Sequence, residues 1–113
     1  MTSRKDLQSL ATLSQLVLDQ RLLALRQTAE RLERSKAQLG AINAAAAPAD
    51  LAPVQAGLVD LAYQRWADIR RAELNLAIAQ QTISWIDAKS EAAVAFGRVQ
   101  ALQGAAKRLD GRR

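Results

Sequence analysis

The chain has 113 residues and a net charge of +5, which suits a single domain. Half of the residues are hydrophobic, but only 4% are aromatic, and alanine and leucine supply most of the apolar side chains. These two residues favour helix, so the composition argues against a β-sandwich or a doubly wound sheet. Cysteine and histidine are absent, which argues against a disulfide framework, a thiolate site and the commonest general base. We therefore expect a non-enzymatic helical protein with no catalytic residues, no cofactor and no metal site.

Start and stop signals divide the chain into two helices. Ser3 followed by Asp6 resembles a capping box, and a long stretch without Gly or Pro comes next. Gly40 then stands where a helix commonly ends, and a Pro follows within the alanine-rich stretch after it. The signals predict one domain, 1–113, made of a helix over about 3–39, a connection over about 40–50 and a helix over about 51–110.

A connection of this length makes antiparallel neighbours the simplest topology. The predicted fold class is all-α, with two long helices in an antiparallel coiled-coil hairpin. Because the second helix is the longer one, its C-terminal end is expected to project past the first helix.

Heptad spacing predicts which residues join the helices. In the first helix the predicted seam is Leu18, Leu22, Leu25, Ala29, Leu32, Lys36 and Leu39, after a phase slip from Leu7, Leu10, Leu13 and Val17. In the second helix two runs succeed one another: Ile69, Ala72, Leu76, Ala79, Ile83 and Ile86, then Trp85, Ala88, Ala92, Ala95, Val99, Leu102, Ala106 and Leu109. Alanine layers bury little area, so we expect a partner or self-association to complete the burial.

Positive charge concentrates at the C-terminal end of the second helix. The cations there are Arg98, Lys107, Arg108, Arg112 and Arg113, and the acidic residue among them is Asp110. Such cations suit the negative end of a helix dipole, which is one interpretation. A docking site for an acidic protein is the other. Because acidic residues are interspersed along the chain, a dedicated nucleic-acid binder is a poor fit.

Apolar side chains are also more frequent near the predicted hairpin tip than one narrow seam needs. They include Leu51, Val54, Leu58 and Leu61. Surplus apolar surface suggests a contact site, and packing over the alanine-rich connection is the alternative.

Trp66 lies beside arginines and close to Tyr63. It fits three roles: a partly buried residue covering the seam, an aromatic anchor in a protein interface, or a platform for a nucleic acid base. Trp85 fits the second seam of the second helix and is predicted to be core.

One segment adds a resemblance to a known family. Residues 89–102 read Lys-Ser-Glu-Ala-Ala-Val-Ala-Phe-Gly-Arg-Val-Gln-Ala-Leu, and leucine heptads run from Leu22 to Leu39. In these features the chain resembles the flagellar FliJ family and the related stalk proteins of type III secretion systems. The resemblance extends over the whole chain as a cysteine-free, Ala/Leu/Arg-rich hairpin with a basic C-terminal end.

The resemblance implies a non-enzymatic coiled-coil stalk, similar to the coiled-coil part of the gamma subunit of rotary ATPases. The end bearing both termini would enter the pore of a hexameric export ATPase, and the tip would face the export gate. Export chaperones are further partners in such families. The implied ATPase-facing residues are the five cations above, and the implied gate-facing residues are the four apolar ones at the tip.

The implied location is the cytoplasm, at most peripheral to the inner membrane on its cytoplasmic face, and no signal peptide or membrane span is recognisable. The alternative function is a self-associating helical-hairpin adaptor or assembly chaperone, in which a homo-oligomer completes the burial.

Overall fold

The computed structural model describes residues 3–45 and 53–111, and these residues form two long helices. Helix α1 spans Arg4–Ala44 and helix α2 spans Pro53–Gly111. The predicted all-α helical hairpin is confirmed. The contacts divide the described residues into a terminal unit, 3–29 with 84–111, and a loop-side unit, 30–45 with 53–83.

A reciprocal capping box begins α1, as the sequence predicts. The backbone N–H of Asp6 donates to Ser3 Oγ at 3.1 Å, and the Ser3 N–H donates to Asp6 Oδ2 at 3.4 Å. These bonds satisfy backbone donors that have no partner inside the helix.

The predicted helix end at Gly40 is wrong, because α1 continues to Ala44. Gly40 does not adopt the positive φ of a helix stop. The alanines that follow favour helix. The Tyr63 hydroxyl also donates to the Ile42 carbonyl at 2.9 Å, and this satisfies an acceptor in the last turn. Pro53 suits the first turn of α2, where a missing backbone N–H costs little. The helix continues one residue past the predicted end, to Gly111.

The two helices run antiparallel in the terminal unit. An ion pair of 2.8 Å joins Arg4 to Asp110, and one of 3.0 Å joins Arg21 to Glu91. Between these pairs lies a small core of Leu18, Ala95 and Val99. Because the first turn of α1 meets the last turn of α2, the prediction that the C-terminal end of α2 projects past α1 is wrong.

The loop-side unit is antiparallel as well. Its core is Ile42, Ala67 and Leu74, with Leu39 and Tyr63 packed against them. Ile42 near the end of α1 lies level with Tyr63, so the first turns of α2 extend beyond the last turn of α1. The extra length of α2 therefore lies at this end and not at the end where Arg4 meets Asp110.

The shielded side of α1 keeps a single heptad register, so the predicted phase slip is absent. One heptad position carries the predicted leucines: Leu18, Leu25, Leu32 and Leu39. The alternate position carries the shielded polar residues Ser14, Thr28 and Ser35, the exposed Arg21 and, at its end, the buried Ile42. The predicted seam residues Leu22 and Lys36 are exposed, and so are Leu10, Leu13 and Val17. Hydroxyls fit this seam because Ser14 and Thr28 donate to carbonyls of their own helix at 3.0 and 2.8 Å.

One of the two predicted runs in α2 is confirmed and the other is wrong. The run Trp85, Ala88, Ala92, Ala95, Val99, Leu102, Ala106 and Leu109 is buried or half-buried throughout. The same spacing continues backwards through Gln81, Ile78, Leu74, Arg71 and Ala67, all buried or half-buried. The residues predicted to precede it, Ile69, Ala72, Leu76, Ala79, Ile83 and Ile86, are exposed. From Ile69 to Ile86 the pattern of apolar residues therefore predicts the wrong side of α2 as the buried one.

Candidate protein-binding surfaces

The described cations among those predicted to face an ATPase lie in the terminal unit, but they do not share one helix face. Arg98, Lys107 and Arg108 are exposed, and Arg112 and Arg113 lie outside the described residues. At about 100° per residue, Arg98 and Lys107 point to opposite sides of α2. Lys107 and Arg108 are therefore close together, whereas Arg98 lies about 14 Å away from Lys107, toward the N-terminus of α2.

The antiparallel pairing adds cations from α1 that sequence reasoning missed. Arg4 reaches Asp110 at 2.8 Å, and Lys5 follows it in the first turn of α1. We call Arg4, Lys5, Lys107 and Arg108 the basic end. Lys5, Lys107 and Arg108 are exposed, and no ion pair with another described residue neutralises them. The first turn of α1 alone has little excess charge. Its cations could be recognised as part of a basic surface only once the two helix termini were known to lie side by side.

A groove beside the basic end combines apolar and charged groups. Its lining residues include Leu7, Ala106 and Leu109, with Arg4 and Asp110 among its polar residues. An apolar floor beside exposed cations suits a partner segment that carries both acidic and apolar side chains.

The residues predicted at the tip share one face of α2 in the loop-side unit. Val54, Leu58 and Leu61 follow the i, i+4, i+7 spacing and are 76%, 64% and 52% exposed. Leu51 lies outside the described residues. We call these three side chains the tip stripe. The alternative that they pack over the alanine-rich connection stays a prediction, because residues 46–50 lie outside the described residues.

Trp66 lies outside both hydrophobic cores. It is 53% exposed, and its ring centroid is 5.7 Å from that of Tyr63, with the planes inclined by 41°. Tyr63 is held by its bond to Ile42, so it gives Trp66 a fixed neighbour. A half-exposed ring that packs on Tyr63 fits a partly buried cover of the seam, an aromatic anchor and a platform for a base, so all three roles of Trp66 stay predictions. Trp85 is half-buried in the seam, and Lys89 Nζ lies 5.2 Å from its ring centroid.

The exposed run of α2 forms a second heptad pattern on the outside of the helix. In the loop-side unit it consists of Ile69, Ala72, Leu76, Ala79 and Ile83, which we call the outer stripe. Its three large members are 63%, 62% and 61% exposed. Scattered apolar residues are normal on protein surfaces, but a regular row of them along one helix face is typical of an interaction surface.

Five of the ten carboxylates among the described residues form ion pairs. Asp68 pairs with Arg71 at 3.0 Å, as its spacing predicts, and Glu91 pairs with Arg21. Within 3–45 and 53–111, no three acidic side chains are grouped so that they could hold a metal ion. Neither α1 nor α2, as described, has a stretch apolar and long enough to cross a membrane.

Comparison with known proteins adds no relative. No protein-family model matches the chain, and no curated protein or solved structure matches it. Any functional assignment therefore rests on the surfaces described above and on the resemblance in the sequence.

Proposed function

We propose that this protein is a non-enzymatic coiled-coil stalk of a flagellar or type III protein export apparatus. It would couple the hexameric export ATPase to the export gate in the cytoplasm, at the inner face of the membrane, where export chaperones are further partners. The observation that carries the proposal is the basic end, at which the first turn of α1 and the last turn of α2 come together.

The charge of the basic end supports contact with an acidic pore. Lys5, Lys107 and Arg108 remain exposed, whereas Arg4 is engaged by Asp110. Exposed charges raise association rates and are easily exchanged because water and salt screen them. A stalk that turns inside a ring, or leaves it, needs contacts of this kind.

The seam of the terminal unit also suits a slender stalk. Its core includes Ala88, Ala92 and Ala95, whose small side chains allow the two helices to approach closely. A narrow pair of helices fits a ring pore better than a wide bundle does.

A pull-down from lysate of the source organism tests the ATPase contact. The test variant carries Lys107→Gln, Arg108→Gln, Arg112→Gln and Arg113→Gln. A matched control removes four exposed cations elsewhere: Arg26, Arg31, Arg34 and Arg65. Each variant loses four charges from +5 and keeps +1. We expect the wild type and the control to retain a hexameric ATPase and the test variant to lose it. Equal recovery by all three would contradict the basic end as its contact.

The tip stripe is the proposed contact for the export gate. Changing Val54, Leu58 and Leu61 to Ser should abolish capture of the gate protein and leave ATPase capture intact. The matched control changes Leu10, Leu13 and Leu16, which are exposed on α1, to Ser. Gate capture that survives in the tip variant would overturn this assignment.

The alternative is a self-associating adaptor or assembly chaperone, and the exposed outer stripe is the observation that favours it. Recovery of this chain alone in the pull-down, equally in all versions, would replace the stalk by this alternative.

A further inference from the structure

The outer stripe has the spacing of a coiled-coil seam but no helix of the described chain covers it. Its residues alternate steps of three and four from Ile69 to Ile83, over about 20 Å of helix. Large and small side chains alternate within it, since Ala72 and Ala79 separate three large residues. This alternation limits which helix can pack against the stripe.

A parallel copy of the same stripe would pack poorly. Identical positions face each other in a parallel pair, so Leu76 would meet Leu76 and Ala79 would meet Ala79. The large layers would hold the helices apart, and the alanine layers would then leave voids.

An antiparallel copy fits the stripe layer by layer. Leu76 then faces Ala79 of the second copy, and Ala72 faces Ile83 of the second copy. These two layers each hold one large and one small side chain, so they have similar width and interdigitate. Ile69 at the end of the stripe faces Ile86 of the second copy, so the match is confined to the residues from Ala72 to Ile83. The two-fold symmetry repeats both layers on the other side of the axis.

The charges beside the stripe favour the same orientation. In a parallel pair Asp68 would lie opposite Glu73 of the second copy, and the symmetry would create this like-charged contact twice. In the antiparallel pair Glu73 lies opposite Gln80 of the second copy, and Asn75 lies opposite Thr82. No like charges meet there.

We propose that the outer stripe is a homodimer interface, in which a second copy of this chain binds antiparallel with Leu76 against Ala79. The pairing buries on the order of 1,000 Å² in total, near the lower limit for a specific interface. The dimer is therefore weak and depends on concentration. The stripe belongs to the loop-side unit and shares no residue with the basic end or the tip stripe. A dimer that forms while the ATPase is still captured supports both proposals, whereas a dimer without ATPase capture supports this inference and the self-associating alternative to the stalk.

Cysteine cross-linking tests the orientation directly, because the natural chain has no cysteine. Two single variants are made, Ala72→Cys and Ile83→Cys, both at exposed positions. In the antiparallel dimer the thiol introduced by Ala72→Cys lies beside the thiol introduced by Ile83→Cys in the other copy. Identical positions of the two copies are then about 16 Å apart along the axis. A disulfide does not form when the Cα atoms are more than about 7 Å apart.

We expect a mixture of the two variants to form the mixed disulfide, whereas each variant alone stays mostly uncrosslinked under the same oxidation. Homodisulfides in the separate variants, without a mixed product, would show a parallel pair and overturn the proposal. Absence of any cross-link, together with a monomer at every concentration in sedimentation, would also overturn it.

A charge in the stripe provides the second test. Leu76→Glu should shift the sedimentation equilibrium to the monomer, raising the dimer dissociation constant at least tenfold. Leu13→Glu is the matched control, because Leu13 is 59% exposed on the other helix and Leu76 is 62% exposed. Circular dichroism confirms that both variants remain helical. Equal dimerisation of the two variants would place the interface elsewhere.

Discussion

Arg4 and Asp110 form an ion pair of 2.8 Å that joins the first turn of α1 to the last turn of α2. The pair aligns the two helix ends, and the exposed Lys5, Lys107 and Arg108 therefore belong to the same end of the terminal unit. The sequence alone predicts instead that the cations of α2 lie on a single helix that projects past α1.

The alignment does not depend mainly on the energy of this ion pair. The side chains of Arg4 and Asp110 are 48% and 54% exposed, so water screens their attraction. A double-mutant cycle with Arg4→Gln and Asp110→Asn, followed by urea unfolding, should give a coupling free energy below about 1 kcal/mol. It should shrink further in high salt. A coupling above about 2 kcal/mol that persists in high salt would show that the pair itself holds the helix ends together.

Tyr63 is expected to stabilise the end of α1 through its hydroxyl. Tyr63→Phe removes the donor to the Ile42 carbonyl but keeps the ring, and it should lower the free energy of unfolding by about 1 kcal/mol. Trp66→Phe is the control, because Trp66 is 53% exposed, and its effect should be smaller. Hydrogen exchange near residues 42–45 should accelerate in the Tyr63 variant alone. An unchanged exchange rate would mean that water satisfies the Ile42 carbonyl as well as the Tyr63 hydroxyl does.

Ser35 and Lys36 distinguish the two possible registers of α1. Ser35 is 8% exposed, whereas Lys36 is exposed and pairs with Glu33 at 3.8 Å. Ser35→Asp places a carboxylate in the seam and should cost more than about 2 kcal/mol in the free energy of unfolding. Lys36→Gln should change it by no more than about 0.5 kcal/mol. The reverse ranking in thermal or urea unfolding would support the register with Lys36 in the seam.

Gln81 is expected to weaken the seam of the loop-side unit. Its Oε1 atom is buried and has no hydrogen-bond partner in the structure. Gln81→Leu removes this unsatisfied acceptor, and the free energy of unfolding should rise by about 1 kcal/mol. Gln64→Leu, at an exposed position of the same helix, should leave it nearly unchanged. A destabilised Gln81 variant would indicate that water reaches the Oε1 atom.

The fold could be predicted from the sequence because helix signals act locally. The composition correctly predicted a helical fold, and Ser3 with Asp6 correctly predicted the start of α1. The spacing from Trp85 to Leu109 correctly predicted the buried face of α2 over that stretch. The end of α1 could not be predicted in this way, since the bond from Tyr63 to Ile42 depends on the folded pair.

The central seam was mispredicted because hydrophobicity and burial disagree there. The outer stripe carries Ile69, Leu76 and Ile83, whereas the shielded side of α2 carries Arg71 and Gln81. A prediction that buries the most apolar face of α2 therefore places the outer stripe in the seam, which is wrong. Arg71 can lie at the seam because its guanidinium reaches Asn43 at 2.8 Å and Asp68 at 3.0 Å. Over this stretch the outer face of α2 is therefore more apolar than the face in the seam.

The most direct test of the stalk proposal is ATP hydrolysis by the hexameric export ATPase of the same organism, titrated with this protein at low salt. The account predicts that the wild type stimulates hydrolysis and that the Arg26, Arg31, Arg34 and Arg65 control does so equally. The variant neutralised at Lys107, Arg108, Arg112 and Arg113 should stimulate it far less. Absence of stimulation by the wild type, or equal stimulation by both variants, would contradict the account.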